Sequence, residues 1–262
     1  MVFQLMRLCR LFVPAVVAIG MLCHHAQAAT IQPDTISTRF ESRSLILPGA
    51  LTAAGAMAAA LPWWRKHIDR PVDTHIGSHS SWRVADGIEW LPYAAAIAAA
   101  YCGADAKAPI ADRALLAATS FVVLEAITQP TKRIVRRWRP DGSDRHSFPS
   151  GHTATAFAGA ELTRMLYGPI WGAGAYVVAT GVAAMRMAGR HHYLSDCIAG
   201  AGIGIFSARA AAWLLPLERR LFHLDRRDSR GYEGHTAKSV AELSLLPVLT
   251  ADGASATLLM TF

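Results

Sequence analysis

Residues 132–152 of this chain read Lys-Arg-Ile-Val-Arg-Arg-Trp-Arg-Pro-Asp-Gly-Ser-Asp-Arg-His-Ser-Phe-Pro-Ser-Gly-His. This run separates two apolar stretches and concentrates cations, small residues and two histidines in one connection. Pro149-Ser150-Gly151-His152 begins the second stretch, and the first N–H groups of a helix have no intrahelical acceptor. Because such N–H groups attract anions, the run predicts two helices whose connection forms an oxyanion site. Phosphate is the ligand that this pattern favours.

A second cluster lies further along the chain, at Met185-Arg186 and at His191-His192-Tyr193-Leu194-Ser195-Asp196. Phosphoryl transfer needs cations for the phosphoryl oxygens, a nucleophile in line with the scissile bond and a proton for the leaving oxygen. The second cluster adds an arginine, a histidine that can act as nucleophile and a carboxylate one helical turn after it. The two clusters together contain every residue type that this chemistry requires.

Three spaced motifs of the chain resemble the signature of the type 2 phosphatidic acid phosphatase and vanadium haloperoxidase superfamily. They are Lys132 with Arg139-Pro140, then Pro149-Ser150-Gly151-His152, then Arg186 with His192 and Asp196. The resemblance extends from roughly residue 44 to residue 220 in the pattern of helices. One position departs from the family, because Met185 stands where a serine usually precedes the arginine of the third motif. That departure removes one hydroxyl expected to contact phosphate.

The resemblance implies a phosphate-binding role for five residues. Lys132, Arg139 and Arg186 would hold the phosphoryl oxygens, and the two arginines offer planar donor forks that lysine lacks. Ser150 and the backbone N–H of Gly151 would complete the cradle, since glycine lets a ligand approach the main chain.

The resemblance also implies three catalytic residues. His192 would attack phosphorus and form a phosphohistidine, and Asp196 would hold the far ring nitrogen of His192. His152 would protonate the leaving oxygen and then activate water. The charged neighbours left as local charge or head-group contacts are Arg136, Arg137, Arg190 and His191.

The composition predicts a helical protein in contact with a membrane. The chain has 262 residues, of which 52% are hydrophobic, and its mean hydropathy is +0.25. Helical patterns occur at 45–64, 90–102, 113–135, 153–167, 170–187 and 194–217. We therefore predict an all-α fold, a membrane-embedded bundle of about six helices. Glycines 200, 202 and 204 are predicted to let neighbouring helices approach closely, and the polar connection 70–89 to form a short helix and loop over the site.

Charge and cysteine usage exclude several classes of partner. The net charge is +7, and apolar helices end in Trp63-Trp64-Arg65-Lys66 and Glu218-Arg219-Arg220, as expected at an anionic membrane surface. No basic strand with interleaved aromatics occurs, which excludes nucleic acid. No Cys, His or acidic spacing fits zinc or calcium, so neither a metal nor another cofactor is predicted. Cys102 and Cys197 are expected to be buried free thiols.

The first 28 residues predict a secretory signal peptide. Two arginines precede an apolar run at 11–23, and Ala26-Gln27-Ala28 fits a cleavage site. The alternative is a short anchor that stays attached. With a cleaved signal and six spanning helices, the 132–152 run would face the cytoplasm, whereas the resemblance implies a bacterial inner-membrane protein with a periplasm-facing site. The short segment 90–102 is therefore expected not to span, unless the signal is retained.

The C-terminal part has a different pattern. Asp252-Gly253 separates two apolar runs between residues 244 and 262, which predicts a small β-hairpin. We expect three parts: a signal peptide at 1–28, a helical-bundle domain at 29–230 and a tail at 231–262.

The resemblance implies a metal-independent phosphoric monoester hydrolase that acts on a lipid phosphate. The candidate substrates are lipid A, undecaprenyl pyrophosphate, phosphatidylglycerophosphate and phosphatidate, with lipid A preferred because of the secretory signal. Three alternatives stay open: a soluble periplasmic non-specific acid phosphatase, a vanadate-dependent haloperoxidase and a non-catalytic lipid-binding module. The size of the chain and its apolar helices favour the phosphatase over the haloperoxidase.

Overall fold

The computed structural model describes residues 36–76, 85–222, 242–250 and 253–261. Its longer helices are α1 (Ile46–Ala60), α2 (Leu91–Ala98), α3 (Ile110–Val135), α4 (Gly151–Tyr167), α5 (Pro169–Ala188) and α6 (Leu194–Leu221). Shorter helical segments lie at Ser42–Leu45, Pro62–Trp64, Arg65–Asp69, Arg70–Ile76, Ala85–Ile88 and Ala99–Cys102. The predicted helical bundle is confirmed, and each of the six predicted helices is present.

Helix α4 lies at the centre of the bundle. It packs against α2, α3 and α5, and most of its side chains are small and buried. Leu162 and Leu166 are fully buried in a core that also contains Leu116 and Leu124 of α3 and alanines of α6. Since alanine and glycine keep helices close together, this helix can carry the predicted oxyanion site at its N-terminus within a dense interior.

Glycines bring α6 into close contact with α4 and α1, as predicted. A Cβ on Gly200 would lie 2.5 Å from the carbonyl oxygen of Ser150, and one on Gly202 would collide with Thr52 of α1. Gly204 faces the backbone of Ala154 in the same way. The close approach fixes the start of α6 beside the start of α4, where the predicted site residues lie.

Successive helices run in alternate directions along the bundle. Glu89, just before α2, lies 3.7 Å from His152 at the start of α4. Lys107, after α2, donates its N–H to the carbonyl of Leu166 near the end of α4 (3.0 Å). The chain from Glu89 to Lys107, which contains segment 90–102, therefore follows α4 from its start to near its end. The expectation that segment 90–102 does not span a membrane stays a prediction. The ends of α1, α3 and α5 lie where α2, α4 and α6 begin.

Two described helices are long and apolar enough to cross a membrane, Ser42–Ala60 and Leu194–Leu221. In its most apolar window the first is only 17% buried, whereas the second is 72% buried. Large apolar side chains are also exposed on α1, α3 and α5, among them Ile46, Met57, Val122, Ile134 and Val177. The outer surface of the bundle is thus apolar at several helices.

The polar connection before α2 contains two short helices, as the sequence predicts. Arg70–Ile76 and Ala85–Ile88 are helical, and His75 is exposed, while His79 and Trp82 lie outside the described residues. Cys102 and Cys197 are both free thiols, but the expected burial is wrong for Cys102, which lies at an exposed helix end.

The second compact unit of the chain begins at Arg219. Within it, β1 (Glu242–Thr250) pairs with β2 (Gly253–Thr261) in an antiparallel register that places Thr250 opposite Gly253. The predicted two-stranded element is therefore present. The predicted signal peptide and both predicted domain boundaries, at 28/29 and 230/231, lie outside the described residues.

Candidate active site

The first group of cations lies at the end of α3 and in the connection that follows. Lys132 occupies the last turn of α3, and Arg136 ends that helix in the left-handed conformation, with φ 48°. Arg139 is held in the connection because its Nε donates to the carboxylate of Asp144 (2.8 Å). Burial, followed by the charge of Arg139, lowers the pKa of the Lys132 ammonium. Lys132 is thus a partly desolvated cation beside a second cation, which is an arrangement that attracts an anion.

The N-terminus of α4 lies next to Lys132. The hydroxyl of Ser150 is fully buried and caps the helix by accepting a hydrogen bond from the N–H of Thr153 (3.4 Å). Among the described residues, the N–H groups of Gly151 and His152 have no protein acceptor. A Cβ on Gly151 would lie 3.3 Å from the Nζ of Lys132. Two free N–H groups and the Lys132 ammonium therefore lie at one helix end, where they favour the same anion.

His192 lies in the turn between α5 and α6 and is 2% exposed. Its Nδ1 lies 2.7 Å from the carbonyl oxygen of Ser147, which can only accept, so Nδ1 carries the proton. Burial, with a smaller contribution from the charges of Arg139 and Arg186, lowers the pKa of the imidazole to about 4, against the opposing effect of Asp196. The ring is therefore neutral at neutral pH, with an unprotonated Nε2, which is the form that a nucleophile requires.

Asp196 lies at the start of α6 and is completely buried. Its Oδ2 accepts hydrogen bonds from the hydroxyl of Ser147 (2.5 Å) and the N–H of Tyr193 (2.9 Å), and its Oδ1 accepts one from Nη1 of Arg137 (2.7 Å). The distance from Oδ2 to Nδ1 of His192 is 3.9 Å. Asp196 is predicted to bind Nδ1 of His192 directly, but the carbonyl of Ser147 accepts that hydrogen bond instead. Asp196 binds Ser147 and Tyr193, the residues that flank the ring.

Arg186 and His152 meet on the carboxylate of Asp86. Oδ1 of Asp86 accepts from Nη1 of Arg186 (2.8 Å) and lies 3.0 Å from Nε2 of His152. Nε of Arg186 is buried and has no acceptor among the described residues. Burial, followed by the charge of Arg186, lowers the pKa of His152 to about 4, with a smaller effect of Lys132 in the same direction and an opposing effect of Asp86. His152 is thus a neutral imidazole among cations.

Glu89 is a second carboxylate that the motifs do not predict. It is 8% exposed, and its Oε1 lies 3.7 Å from Nε2 of His152. Burial raises the pKa of Glu89 to about 7, and the charge of Asp86 acts in the same direction. The charges of Arg186 and Lys132 oppose this shift. Glu89 therefore exchanges protons near neutral pH beside the residue predicted as general acid.

The structure shows what several neighbouring charged residues contact. Arg137 is not a head-group contact, because its side chain is only 10% exposed and pairs with two buried carboxylates. Arg190 holds the short helix Arg70–Ile76 through a bidentate pair with Asp73 (3.0 and 2.8 Å). His191 lies 3.5 Å from Asp141, and Arg136 donates to the carbonyl of Arg133. Met185, which replaces the expected serine, packs against the alanines between α4 and α5.

The predicted site residues converge at one end of the bundle. Lys132, Arg139 and Arg186 each shift the pKa of another site residue, and the N–H of Ser150 donates to the carbonyl of Asp196 (3.1 Å). Within the described ranges, no three His, Cys, Asp or Glu side chains are placed to hold a metal ion. The arrangement combines cations for an anion with a neutral, oriented imidazole. The residues that the motifs do not predict are Asp69, Asp86, Glu89, Arg137 and Ser147.

Comparison with known proteins agrees with the motifs. Residues 113–220 match the family model described as PAP2 superfamily. The Lipid A 1-phosphatase of Porphyromonas gingivalis is 39% identical to this chain over 99 residues, which cover 37% of this chain and 21% of that protein. The match therefore spans about a fifth of the relative's length. No solved structure matches the chain. The superfamily inferred from the three motifs is confirmed for this domain.

Proposed function

Since residues 113–220 form a PAP2 superfamily domain, we propose that this protein is a metal-independent lipid phosphatase that forms a phosphohistidine on His192. One observation carries the proposal. The neutral imidazole of His192 lies at the end of the bundle where three cations and the free N–H groups of α4 also lie. Cations bind the phosphoryl oxygens, and an imidazole whose Nδ1–H is held by a carbonyl presents Nε2 to phosphorus.

The first step transfers the phosphoryl group to the enzyme. The lone pair on Nε2 of His192 forms a bond to phosphorus while the bond from phosphorus to the ester oxygen breaks. Lys132, Arg139 and Arg186 balance the negative charge that spreads over the phosphoryl oxygens. The unpartnered, buried Nε of Arg186 supports this role, since it offers a donor with no protein acceptor among the described residues.

The proton for the leaving oxygen comes through His152. Because His152 is neutral, it has no proton to give to the leaving oxygen. The phosphate ester therefore binds as its monoanion, which carries the required proton into the site. Transfer of that proton to His152 leaves a dianion that offsets the surrounding cations and stabilises the imidazolium. The imidazolium then protonates the leaving oxygen. In the second step His152 removes a proton from a water molecule, whose oxygen attacks phosphorus while the bond to Nε2 breaks and its electron pair returns to Nε2. His152 then gives that proton to the departing phosphate, which leaves as the monoanion.

An apolar and basic cavity beside His192 supports a lipid substrate. The cavity measures about 610 Å³ and is bordered by Tyr193, the residue after the nucleophile. Its apolar lining comes from Ala56, Ala59, Ala60, Val135, Trp138 and Phe148, and its cations apart from the Arg137–Asp69 pair are Arg65, Arg70 and Arg136. Apolar walls suit acyl chains, and the cations suit an anionic head group. The name of the relative supports lipid A as the preferred substrate among the four candidates.

We place the protein in the bacterial inner membrane with the site facing the periplasm. The exposed apolar side chains and the apolar helix Ser42–Ala60 support a membrane position. Because the helices alternate in direction, a periplasmic site puts the start of α1 in the cytoplasm. A signal peptide cleaved after residue 28 would instead release that end into the periplasm. Reporter fusions after Arg139 and before Ser42 separate the two expectations: the proposal requires periplasmic activity only at the first.

A comparison of kcat/KM on several substrates tests the proposed function. Purified protein in detergent is assayed for phosphate release from lipid A, undecaprenyl pyrophosphate, phosphatidylglycerophosphate, phosphatidate and p-nitrophenyl phosphate, with His192→Ala as the control. We expect a higher kcat/KM on at least one lipid than on the soluble ester, and no turnover by the variant. A higher kcat/KM on the soluble ester than on every lipid would support an acid phosphatase instead. Bound lipid without any turnover would support a binding module.

A further inference from the structure

The carboxylate of Asp69 is buried without a role in the steps above. It is 1% exposed and lies at the end of the π-helical turn Arg65–Asp69, outside the PAP2 domain. Its Oδ2 accepts hydrogen bonds from Nη2 of Arg137 (2.7 Å) and from the hydroxyl of Ser195 (2.7 Å). Its Oδ1 accepts from the N–H of Ser195 (3.2 Å) and from Nε1 of Trp64 (3.3 Å). Four donors converge on this one carboxylate.

Arg137 connects Asp69 to Asp196. Its Nη1 donates to Oδ1 of Asp196 (2.7 Å) and to the hydroxyl of Ser195 (2.7 Å), and its guanidinium lies over the ring of Tyr193, 4.3 Å from the centroid. Both carboxylate side chains are 0% exposed, so a single guanidinium pairs with two buried charges. Such charge-assisted, fork-shaped contacts fix geometry as well as charge.

The connection continues from Asp196 to the nucleophile. Asp196 accepts from the hydroxyl of Ser147, and the carbonyl of Ser147 holds Nδ1 of His192. Asp196 also accepts the N–H of Tyr193, the residue after the nucleophile. Both backbone segments that orient the ring are therefore tied to Asp196, which Arg137 ties to Asp69. π-helical turns often occur at functional sites, and this one turns Asp69 inward.

We propose that Asp69 is a positioning residue of the phosphatase site, which acts on His192 through Arg137 and Asp196. The proposal rests on the proposed function, since it assigns the network to the nucleophile. Asp69 borders the cavity proposed for the lipid, but its carboxylate is 1% exposed and bound to protein donors, and it is not placed among the groups that hold or attack the phosphoryl group. Without its charge, Arg137 keeps one carboxylate partner and loses the second contact that fixes its plane, so Asp196 and the Ser147 loop lose their support.

The network predicts a loss of turnover without a loss of phosphate binding. Phosphate binds to the cradle of Lys132, Arg139 and Arg186, whereas only the chemical step needs an aligned Nε2. We expect Asp69→Asn to lower kcat by about 10- to 100-fold, because small misplacements of a nucleophile have effects of that size. The inhibition constant of inorganic phosphate should change by less than about threefold, since the cradle is intact.

A matched control variant and a double-mutant cycle distinguish a positioning role of Asp69 from a general effect on the stability of the fold. Asp73→Asn removes a carboxylate from the following helical turn, where it pairs with Arg190, and should leave kcat within about threefold of wild type. Arg137→Gln should lower kcat at least as much as Asp69→Asn. The double variant should lose less kcat than the product of the two single losses, because Asp69 acts in large part through that guanidinium, beside its own hydrogen bonds to Ser195.

Kinetics and one spectroscopic measurement decide the proposal. It is supported if Asp69→Asn loses kcat with an unchanged phosphate constant and the cycle is non-additive. It is overturned if folded Asp69→Asn keeps wild-type kcat, or if the losses of the two single variants multiply. NMR of ¹⁵N-histidine-labelled protein gives a readout without turnover: exchange of the Nδ1–H of His192 should accelerate in Asp69→Asn, and an unchanged rate would contradict the proposal. Absence of turnover in the wild type would instead contradict the proposed function.

Discussion

The Nδ1 nitrogen of His192 is hydrogen-bonded to the backbone carbonyl of Ser147 at 2.7 Å, while Oδ2 of Asp196 lies 3.9 Å away. The carbonyl of Ser147 is an uncharged acceptor, and it fixes the tautomer of His192 with the proton on Nδ1. Asp196 instead binds the hydroxyl of Ser147 and the guanidinium of Arg137. The orientation of the proposed nucleophile thus depends on the loop before α4, which Asp196 holds in place.

Asp196→Asn is expected to be less damaging than His192→Ala. The Ser147 carbonyl still holds Nδ1 when Asp196 is neutralised, whereas no other group replaces the imidazole. By analogy with triads, in which the orienting acid costs less than the nucleophile, kcat of Asp196→Asn should exceed that of His192→Ala by about 10- to 100-fold. Steady-state kinetics on one lipid substrate measures both values, and circular dichroism checks the fold. Equal losses in two folded variants would remove the distinction between the two roles.

The maximum of kcat/KM is expected at acidic pH. The nucleophile must be unprotonated, and burial lowers the pKa of His192 from its usual 6.5 to about 4, so the active form persists as pH falls to about 4. Above pH of about 6 the substrate loses its second proton, and the monoanion that a neutral His152 favours disappears. We therefore expect a bell between about pH 4 and 6. An acid limb near 6.5 would show that His192 is not desolvated in the working enzyme.

Asp86→Asn should strengthen inhibition by inorganic phosphate and vanadate. The carboxylate of Asp86 occupies the donors of Arg186 and His152 that an anion would use, and its charge repels that anion. Because this side chain is half exposed, the expected gain is modest, about three- to tenfold in the inhibition constants. Glu41→Gln, at the opposite end of the bundle, is the control. Weaker inhibition of Asp86→Asn would mean that the carboxylate helps to hold the anion.

Chelators should leave turnover intact. The proposed cradle consists of Lys132, Arg139 and Arg186, which neutralise phosphate without a divalent ion. Activity is measured before and after dialysis against EDTA, with added Mg²⁺, Mn²⁺ or Zn²⁺ in parallel. Loss of activity that one of these ions restores would contradict the metal-independent mechanism.

Gly200→Ala should destabilise the fold and the site together. The added Cβ would lie 2.5 Å from the carbonyl oxygen of Ser150, so α6 or the cap of α4 must move. Overpacking of this kind costs about 1–3 kcal/mol. Gly181→Ala is a matched control, because its Cβ would meet nothing within 4 Å and alanine favours a helix by about 1 kcal/mol. Thermal unfolding should show a lower Tm for the first variant and an unchanged or higher Tm for the second.

Most of the fold could be predicted from the sequence because the helices are separated by clear punctuation. The helix predicted at 113–135 ends at Val135, and the helix predicted at 153–167 runs from Gly151 to Tyr167. The position of segment 90–102 in the bundle is harder to predict. Its short apolar pattern gives its length, but only the contacts of Glu89 and Lys107 with the two ends of α4 show that this part of the chain follows that helix.

The site could be predicted where chemistry follows a motif, and not where it depends on distant segments. Lys132, His152 and His192 stand at recognisable spacings, so their convergence was expected. Asp69 and Asp86 reach the site from the segment between α1 and α2, about 100 or more residues from Arg186 and Asp196 in sequence. No local pattern distinguishes them from solvated acids. The Ser147 carbonyl carries no side-chain signal at all, so only the fold identifies it.

Trapping of the covalent intermediate tests the central claim most directly. Wild-type protein is mixed with a lipid substrate labelled with ³²P in the scissile phosphate and quenched within milliseconds in denaturing base, in which phosphohistidine survives. The account predicts protein-bound label on His192, attached through Nε2 because Nδ1 is engaged by Ser147, and no label in His192→Ala. Turnover without any labelled protein, or label that persists in His192→Ala, would contradict the account.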